Sequence, residues 1–169
     1  LPIYIKGGYR RVSGTAQYNT TIVPQGSSTT SLVVDCSIIF NGQIIVARGG
    51  DIHRGTTSGS FTTLTTGLGT STRAYDFEKF NFNGTDKLVI ATGHSAAQII
   101  DSSFSVDVIN ATGGGTAPTN PKLVKAFQNH MFYAGASNSQ EVIFSVPFEE
   151  DNFTSASGAG SFKVDSTVV

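Results

Sequence analysis

A short motif recurs along this sequence at the spacing of a supersecondary unit. Phe40-Asn41-Gly42 returns as Phe82-Asn83-Gly84 and, more loosely, as Phe127-Gln128-Asn129, so the phenylalanines are 42 and 45 residues apart. Each copy lies between two apolar runs. Asn-Gly readily takes the positive φ angles that a two-residue hairpin turn requires. We therefore predict that each copy joins two antiparallel strands.

The residues after each turn also correspond. An apolar strand that ends in alanine follows in every copy: Ile44–Ala47, Leu88–Ala91 and Met131–Ala134. A third strand comes next, and then a Ser/Thr-rich segment with one phenylalanine, which is Phe61, Phe104 and Phe153 in turn. Four strands with a period of about 40–45 residues are the signature of a β-propeller blade. Because one sheet cannot bury both of its apolar faces, we expect the blades to stack, with the motif phenylalanines filling the layers between them.

Helical periodicity is scarce, and short apolar runs bounded by Gly, Ser, Asn and Pro dominate, as in strands and turns. The candidate strands are Ser31–Ile39, Gln43–Arg48, Thr62–Thr66, Ala74–Asn81, Lys87–Ala91, Ala97–Asp101, Phe104–Ile109, Lys122–Gln128, Met131–Ala134, Glu141–Val146 and Gly160–Val164. The predicted fold class is all-β, with tandem four-stranded antiparallel sheets that form a partial β-propeller.

We divide the chain into an N-terminal arm and loop at residues 1–30 and about three blades at 31–72, 73–115 and 116–169. Asn110–Pro121, rich in Gly, Thr and Pro, is expected to be a flexible linker between the second and third blades. Propellers usually close with about 4–8 blades. We therefore expect the sequence to be part of a larger chain.

Charge and cysteine content narrow the function classes. The formal net charge is −1, so there is no basic field to hold nucleic-acid phosphates tightly. Cys36 is the only cysteine, which excludes an intrachain disulfide, and its apolar surroundings predict a small buried residue. No apolar run approaches the roughly 18 residues of a membrane-spanning helix.

One segment resembles a hydrolase motif. Gly93-His94-Ser95-Ala96-Ala97 follows an apolar strand, as a nucleophile elbow does, and Asp101, Asp107 and His130 come after it in the order of a catalytic acid and base. A hydrolase of that kind needs a helix after the serine, but the following segments resemble strands. We therefore expect a turn glycine here, and we predict a non-enzymatic protein without catalytic residues.

Other candidate sites also favour structural roles. His53 with Asp51, together with His94 and His130, lacks the spacing of metal ligands, so we expect solvated or hydrogen-bonded histidines and no metal. Gly113–Gly115 is not followed by Gly-Lys-Ser/Thr, so a phosphate loop and a nucleotide cofactor are not expected.

Two short charged clusters complete the candidates. Glu149–Asp151 is expected to be a solvated turn rather than a cation site. Tyr9–Arg11 is a local basic cluster that could touch DNA or an acidic neighbour, although two arginines on an arm are more often ordinary surface charges.

The third repeat carries a resemblance to a protein family. Ala126–Gly135, followed by Val142–Ser145, Asp151–Thr154 and Ser157–Gly160, resembles a segment of virion proteins of short-tailed bacteriophages. These are tail nozzle proteins (tail tubular protein B type) and packaged-DNA stabilisation proteins. The N-terminal Gly7–Gly14 is similar to their entry arm.

This resemblance implies a structural protein of the phage tail. It implies a subunit of a ring, a hexamer, that forms the conduit retaining and passing DNA during ejection. The implied partners are identical subunits, the portal or adaptor, other tail proteins and DNA transiently in the lumen, with no stable membrane span and no cofactor. His130 departs from the family pattern, which often has Arg or Lys there.

Two other readings stay open. The chain could be a carbohydrate- or protein-binding propeller module of a host-attachment protein, which exposed aromatic rings in a concave pocket would favour. It could also be an esterase built around Ser95, which hydrolysis of an activated ester would reveal.

Overall fold

The computed structural model describes residues 2–5, 8–11, 23–24, 34–56, 59–69, 75–136 and 140–164. The secondary structure of these residues is almost entirely β. Their only helix is one 3-10 turn at Ser155–Ser157.

Twelve of the strands form three consecutive four-stranded sheets. Sheet 1 contains β3 (Cys36–Phe40), β4 (Gln43–Arg48), β5 (Asp51–Gly55) and β6 (Phe61–Thr65). Sheet 2 contains β7 (Asp76–Phe82), β8 (Thr85–Ala91), β9 (Gln98–Ile100) and β10 (Val106–Val108). Sheet 3 contains β11 (Leu123–Phe127), β12 (His130–Ala134), β13 (Glu141–Phe144) and β14 (Gly160–Lys163). Near the N-terminus, β1 (Pro2–Ile5) and β2 (Gly8–Arg11) pair as a separate two-stranded sheet.

Each four-stranded sheet is an antiparallel meander, in which every strand pairs with the next one along the chain. The predicted all-β class and the tandem four-stranded sheets are therefore confirmed.

The repeated tripeptides are the hairpin turns that the sequence predicts. Both turn residues have positive φ in all three copies: 46° and 72° at Asn41 and Gly42, 60° and 80° at Asn83 and Gly84, and 47° and 64° at the Gln-Asn pair of the third copy. A Cβ added to Gly42 would meet no atom within 4 Å, so glycine is favoured there for its backbone angles rather than for close packing.

The sheets stack face to face, and sheet 2 is covered on both sides. Along β8 the side chains alternate between its two faces, so Leu88 and Ile90 pack toward sheet 1, whereas Val89 and Ala91 pack toward sheet 3. All four are 0 % exposed. A strand buried on both faces needs a continuous apolar run, which explains Leu88–Ala91.

The first strands of the three sheets lie side by side, since β7 contacts both β3 and β11. Successive propeller blades have this arrangement, with their first strands near a shared axis. The fold thus consists of three blade-like units in sequence.

The segment between sheets 2 and 3 differs from the expected flexible linker. The Phe153 amide N–H donates to the Gly114 carbonyl at 2.8 Å. A Cβ on Gly115, where φ is 80°, would lie 2.2 Å from the Phe153 carbonyl oxygen. The glycine run therefore lets this connection pack closely against sheet 3.

Candidate assembly interface on the third sheet

An aromatic contact joins sheets 1 and 2. Phe40, in the last position before its turn, meets Phe104 edge to face, with ring centroids 5.9 Å apart and planes at 85°. Beside it, the Asn41 side-chain amide donates to the Ser102 carbonyl at 3.3 Å. The turn of sheet 1 is thereby held against the loop between the third and fourth strands of sheet 2.

The same contact recurs between sheets 2 and 3. Phe82 meets Phe148 edge to face at 6.5 Å, and the Asn83 amide donates to the Phe148 carbonyl at 3.1 Å. Phe104 and Phe148 both have positive φ, 68° and 64°. A bulky residue in that conformation is uncommon, so its recurrence in equivalent loops marks a shared structural device. We call it the aromatic lock.

The lock corrects one feature of the repeat. The sequence pattern predicts that Phe153 corresponds to Phe104, but Phe148 takes the equivalent position. Phe153 instead packs against Tyr133, with centroids 5.7 Å apart, inside the core between sheets 2 and 3.

Two carboxylates add a polar contact between sheets 2 and 3. Phe127 pairs with His130 across the turn, so the amide N–H groups of Val124 and Ala126 point away from β12 at the free edge of β11. The Asp76 carboxylate accepts the hydrogen bond from the Val124 N–H at 3.0 Å, and the Glu78 carboxylate accepts the one from the Ala126 N–H at 3.1 Å. Carboxylates two residues apart on β7 thus satisfy backbone donors two residues apart on β11.

Glu78 also pairs with a lysine on the strand it supports. The second carboxylate oxygen of Glu78 lies 2.6 Å from Lys125 Nζ. This contact raises the pKa of Lys125, first through the hydrogen bond and then through the charge of the carboxylate. The Glu78 side chain is 12 % exposed and that of Lys125 is 74 % exposed, so the backbone contact is the buried part of this pair.

The third copy of the motif has no such partner among the described residues. Phe127 is 61 % exposed, whereas Phe40 is 2 % and Phe82 is 8 % exposed. The prediction that every motif phenylalanine fills a layer between blades is therefore confirmed for the first two copies, whereas the described sheets leave the third ring exposed. Its side chain lies on the outer face of sheet 3, the face turned away from sheet 2.

Aromatic residues dominate this outer face. Met131 and Tyr133 point toward sheet 2, so the alternating residues of β12 point outward, as do their partners on β13 and β14. The resulting apolar surface, which we call the outer face, contains Leu123, Phe127, Phe132, Val142, Phe144 and Phe162. Phe132 lies 6.3 Å from Phe127 and 5.5 Å from Phe144, so the rings form a continuous row.

A contiguous exposed apolar surface of this kind marks a site for another molecule, since soluble proteins rarely leave one uncovered. Sugars stack on rings but also need polar groups beside them. The nearest polar ring, His130, already holds the Ser145 carbonyl oxygen at 2.6 Å from its Nδ1. The outer face thus combines exposed rings with two polar side chains that are already engaged, His130 with Ser145 and Lys125 with Glu78.

The hydrolase candidate Ser95 lies in a turn stabilised by Thr92. Its hydroxyl is 3.0 Å from Thr92 Oγ1, and its amide N–H donates to the same oxygen at 2.9 Å. Gly93 has a φ of 71°, as expected for a turn glycine, and β9 rather than a helix follows.

The proposed acids and base form hydrogen bonds with groups other than Ser95, and Asp107 accepts one from the Val108 amide N–H at 2.7 Å. Asp101 accepts hydrogen bonds from Ser103 and Ser105, and the Ser103 hydroxyl is the main cause of its lowered pKa. His130 bonds within sheet 3. Ser95, Asp101 and His130 therefore belong to three separate groups of hydrogen bonds.

His53 is hydrogen-bonded but not solvated. It lies within β5 rather than near a strand end, is 1 % exposed, and its Nδ1 is 3.1 Å from Thr63 Oγ1. Burial lowers its pKa, and the more weakly acting carboxylate of Asp51 opposes that shift. His94 packs beside Gly69 in a loop. Among the described residues, no group of three or more His, Cys, Asp or Glu side chains is placed to hold a metal ion.

The acidic run Glu149–Asp151 is solvated only in part, because Glu149 is exposed and Asp151 is half-buried, whereas Glu150 is buried. Glu150 is 8 % exposed and pairs with Lys87 of sheet 2, while Glu149 accepts a hydrogen bond from Asn152 at 2.8 Å. The run therefore helps hold sheet 3 against sheet 2.

The two remaining candidates are Cys36 and the basic cluster Tyr9–Arg11. Cys36 is half-buried against the core between sheets 1 and 2, and burial raises the pKa of its thiol. Tyr9–Arg11 belongs to β2, but its side chains lie outside the described part of the chain.

Comparison of the chain with protein-family models, with curated proteins and with solved structures finds no match. The described residues contain no helix long and apolar enough to cross a membrane.

Sequence reasoning missed the outer face, because alternation alone does not reveal which apolar face lacks a cover. One signal was available: Phe132 and Phe144 alternate with Met131, Tyr133 and Ile143, so sheet 3 is apolar on both faces.

Proposed function

We propose that this chain is a structural component of a short-tailed phage virion, of the tail-nozzle type. It would act as one subunit of a hexameric ring through which DNA is retained and then passes. The supporting observation is the outer face of sheet 3, an aromatic surface on a stack of sheets that is otherwise tightly interlocked. A surface of this kind suits a protein that works as part of an assembly.

Two further features are compatible with this proposal. The net charge of −1 leaves DNA without a strong electrostatic grip, which is what a conduit for sliding DNA needs. Three of the side chains that resembled catalytic or metal sites, Ser95, His53 and His130, bond to neighbouring parts of the chain. Their contacts support the sheets.

The ring is tested on the purified full chain by sedimentation equilibrium and negative-stain electron microscopy. We expect a discrete oligomer with a central channel, and a mass of six subunits. A chain that stays monomeric at all accessible concentrations would overturn the ring.

The alternative is a host-attachment module that binds a carbohydrate or protein. The exposed row of phenylalanine rings favours it over an enzyme. Glycan-array binding that is abolished by Phe132→Ala and Phe127→Ala would replace the nozzle proposal with this one. An array without signal would remove the carbohydrate alternative.

A further inference from the structure

The two interfaces between sheets are built from the same two halves. One half is the hairpin turn of a sheet, with its motif phenylalanine and the side-chain amide beside it. The other is a phenylalanine at positive φ in the following sheet, Phe104 in one interface and Phe148 in the other. We call these the turn half and the loop half of the lock.

Sheet 3 presents a turn half in the same register. Its turn residues have the same left-handed angles as those of sheets 1 and 2. Phe132 and Ala134 follow the motif residue Phe127 at the same distances in sequence as Ile45 and Ala47 follow Phe40 in sheet 1. Ile45 and Ala47 are 0 % exposed beneath sheet 2, whereas Phe132 and Ala134 are only partly buried.

We propose that the outer face is the docking site of a fourth four-stranded antiparallel sheet of the same repeat, contributed by a segment outside the three described sheets. The loop between its third and fourth strands places a phenylalanine at positive φ against Phe127. Its docking face carries alternating branched aliphatic residues, as the face of sheet 2 that contains Leu88 and Ile90 does. The Gln128 side-chain amide donates to a backbone carbonyl of that loop, as Asn41 and Asn83 do in their interfaces.

A second copy of the described sheets has no free loop half to offer. Phe104 is occupied by Phe40, and Phe148 by Phe82. At the opposite end of the stack, Val46 and His53 on the far face of sheet 1 are covered, with exposures of 2 % and 1 %, although Ile39 on the same face is 54 % exposed. Continuity with the existing interfaces therefore points to a further sheet of the same repeat as the occupant of this face.

This inference rests on the proposed function in one respect, because a component of an assembly needs a partner on this surface. It is tested by giving the chain a sheet with a free loop half. The full chain is extended with a second copy of residues 75–111, joined by a short Gly/Ser spacer. Residues 75–111 are chosen because this segment, as sheet 2, already packs on the equivalent face of sheet 1.

The readout is hydroxyl-radical oxidation of Phe127, measured by mass spectrometry. We expect its oxidation to fall from that of an exposed ring to the level of Phe40 and Phe82. The same fusion with Phe104→Ala in the added copy is the matched control, and it should leave Phe127 more reactive. A second fusion, with residues 112–164 as the added copy, supplies the other loop half.

If neither added sheet protects Phe127, the proposal is overturned. It is also overturned if the unextended chain forms a dimer that Phe127→Asp dissolves, because a second copy then covers the face. A ring that forms while Phe127 remains reactive would leave the proposed function standing without this inference. Protection of Phe127 in a chain that never forms a ring would support this inference and overturn the proposed function.

Discussion

The two interfaces between sheets share an aromatic lock but differ in their polar contacts. Between sheets 2 and 3, Asp76 and Glu78 accept backbone donors of β11, and Lys87 pairs with Glu150. Between sheets 1 and 2, the positions equivalent to the two carboxylates are Val34 and Cys36, counted from the motif phenylalanine. There the Arg54 guanidinium instead lies 4.6 Å from the centre of the Phe104 ring.

The difference separates what the repeat requires from what it tolerates. The turn, its phenylalanine and the facing loop phenylalanine occur in both interfaces, so we infer that they define how sheets dock. The carboxylates occur in only one, and they solve a local problem, the free N–H groups at the edge of β11. The outer face of sheet 3 presents the shared part of the interface without a described partner.

The largest expected effect concerns the motif phenylalanines. Phe40→Ala and Phe82→Ala should each reduce the free energy of unfolding by about 3–5 kcal/mol, because each removes a buried ring from a packed layer. Phe127→Ala should change it by no more than about 0.5 kcal/mol, as at other exposed positions. Urea unfolding of the three variants checks this, and three equal losses would break the distinction between covered and open faces.

The carboxylate contact provides the second prediction. Glu78→Ala should cost about 1–3 kcal/mol, because it leaves the part-buried Ala126 N–H without its acceptor. Lys125→Ala is the matched control and should cost less than about 1 kcal/mol, since its ammonium is exposed. Denaturant unfolding of both variants measures the difference. Equal losses would show that the ion pair, not the backbone contact, matters at this interface.

A pH effect should arise in sheet 1. Because burial holds the pKa of His53 below its ordinary 6.5, the unfolded chain takes up a proton near that pH before the folded chain does. The stability that the neutral ring contributes is fully present above about pH 6.5 and is lost as the pH falls from there to the lowered folded-state pKa.

His53→Gln removes this titration and should reduce the loss of unfolding free energy between about pH 7.5 and about pH 5.5. The two proteins are compared by chemical unfolding at both pH values. An unchanged loss in the variant would assign the acid sensitivity to another part of the molecule.

The smallest expected effect is a gain in the third turn. The second turn residue is glycine in the first two copies, Gly42 and Gly84. In the third copy it is Asn129, whose φ is also positive, at 64°. Asn129→Gly should therefore stabilise the protein, by roughly 0.5 kcal/mol, because glycine adopts this angle without strain. Thermal unfolding would detect the gain. A loss instead would mean that the asparagine side chain makes a contact that its counterparts do not need.

Much of the fold could be predicted from local patterns. The period-two alternation and the Asn-Gly turns fix hairpins, and β4 begins and ends at the predicted residues, Gln43 and Arg48. The double-sided burial of Leu88–Ala91 follows from its continuous apolar run.

What could not be predicted depends on contacts distant in sequence. Neither the pairing of Phe82 with Phe148 nor the carboxylate contacts to β11 leaves a local signal. For the same reason, the sequence predicts a solvated Glu150, because its partner Lys87 is distant along the chain. The outer face was hidden because hydrophobicity shows that a surface is apolar but not whether another sheet covers it.

The most direct test of this account is hydroxyl-radical footprinting of the monomeric 169-residue chain, without an added sheet, read at Phe40, Phe82 and Phe127 in one digest. The account predicts strong oxidation of Phe127, which is 61 % exposed, and little oxidation of the other two rings. Equal oxidation of all three rings, or a protected Phe127, would contradict it.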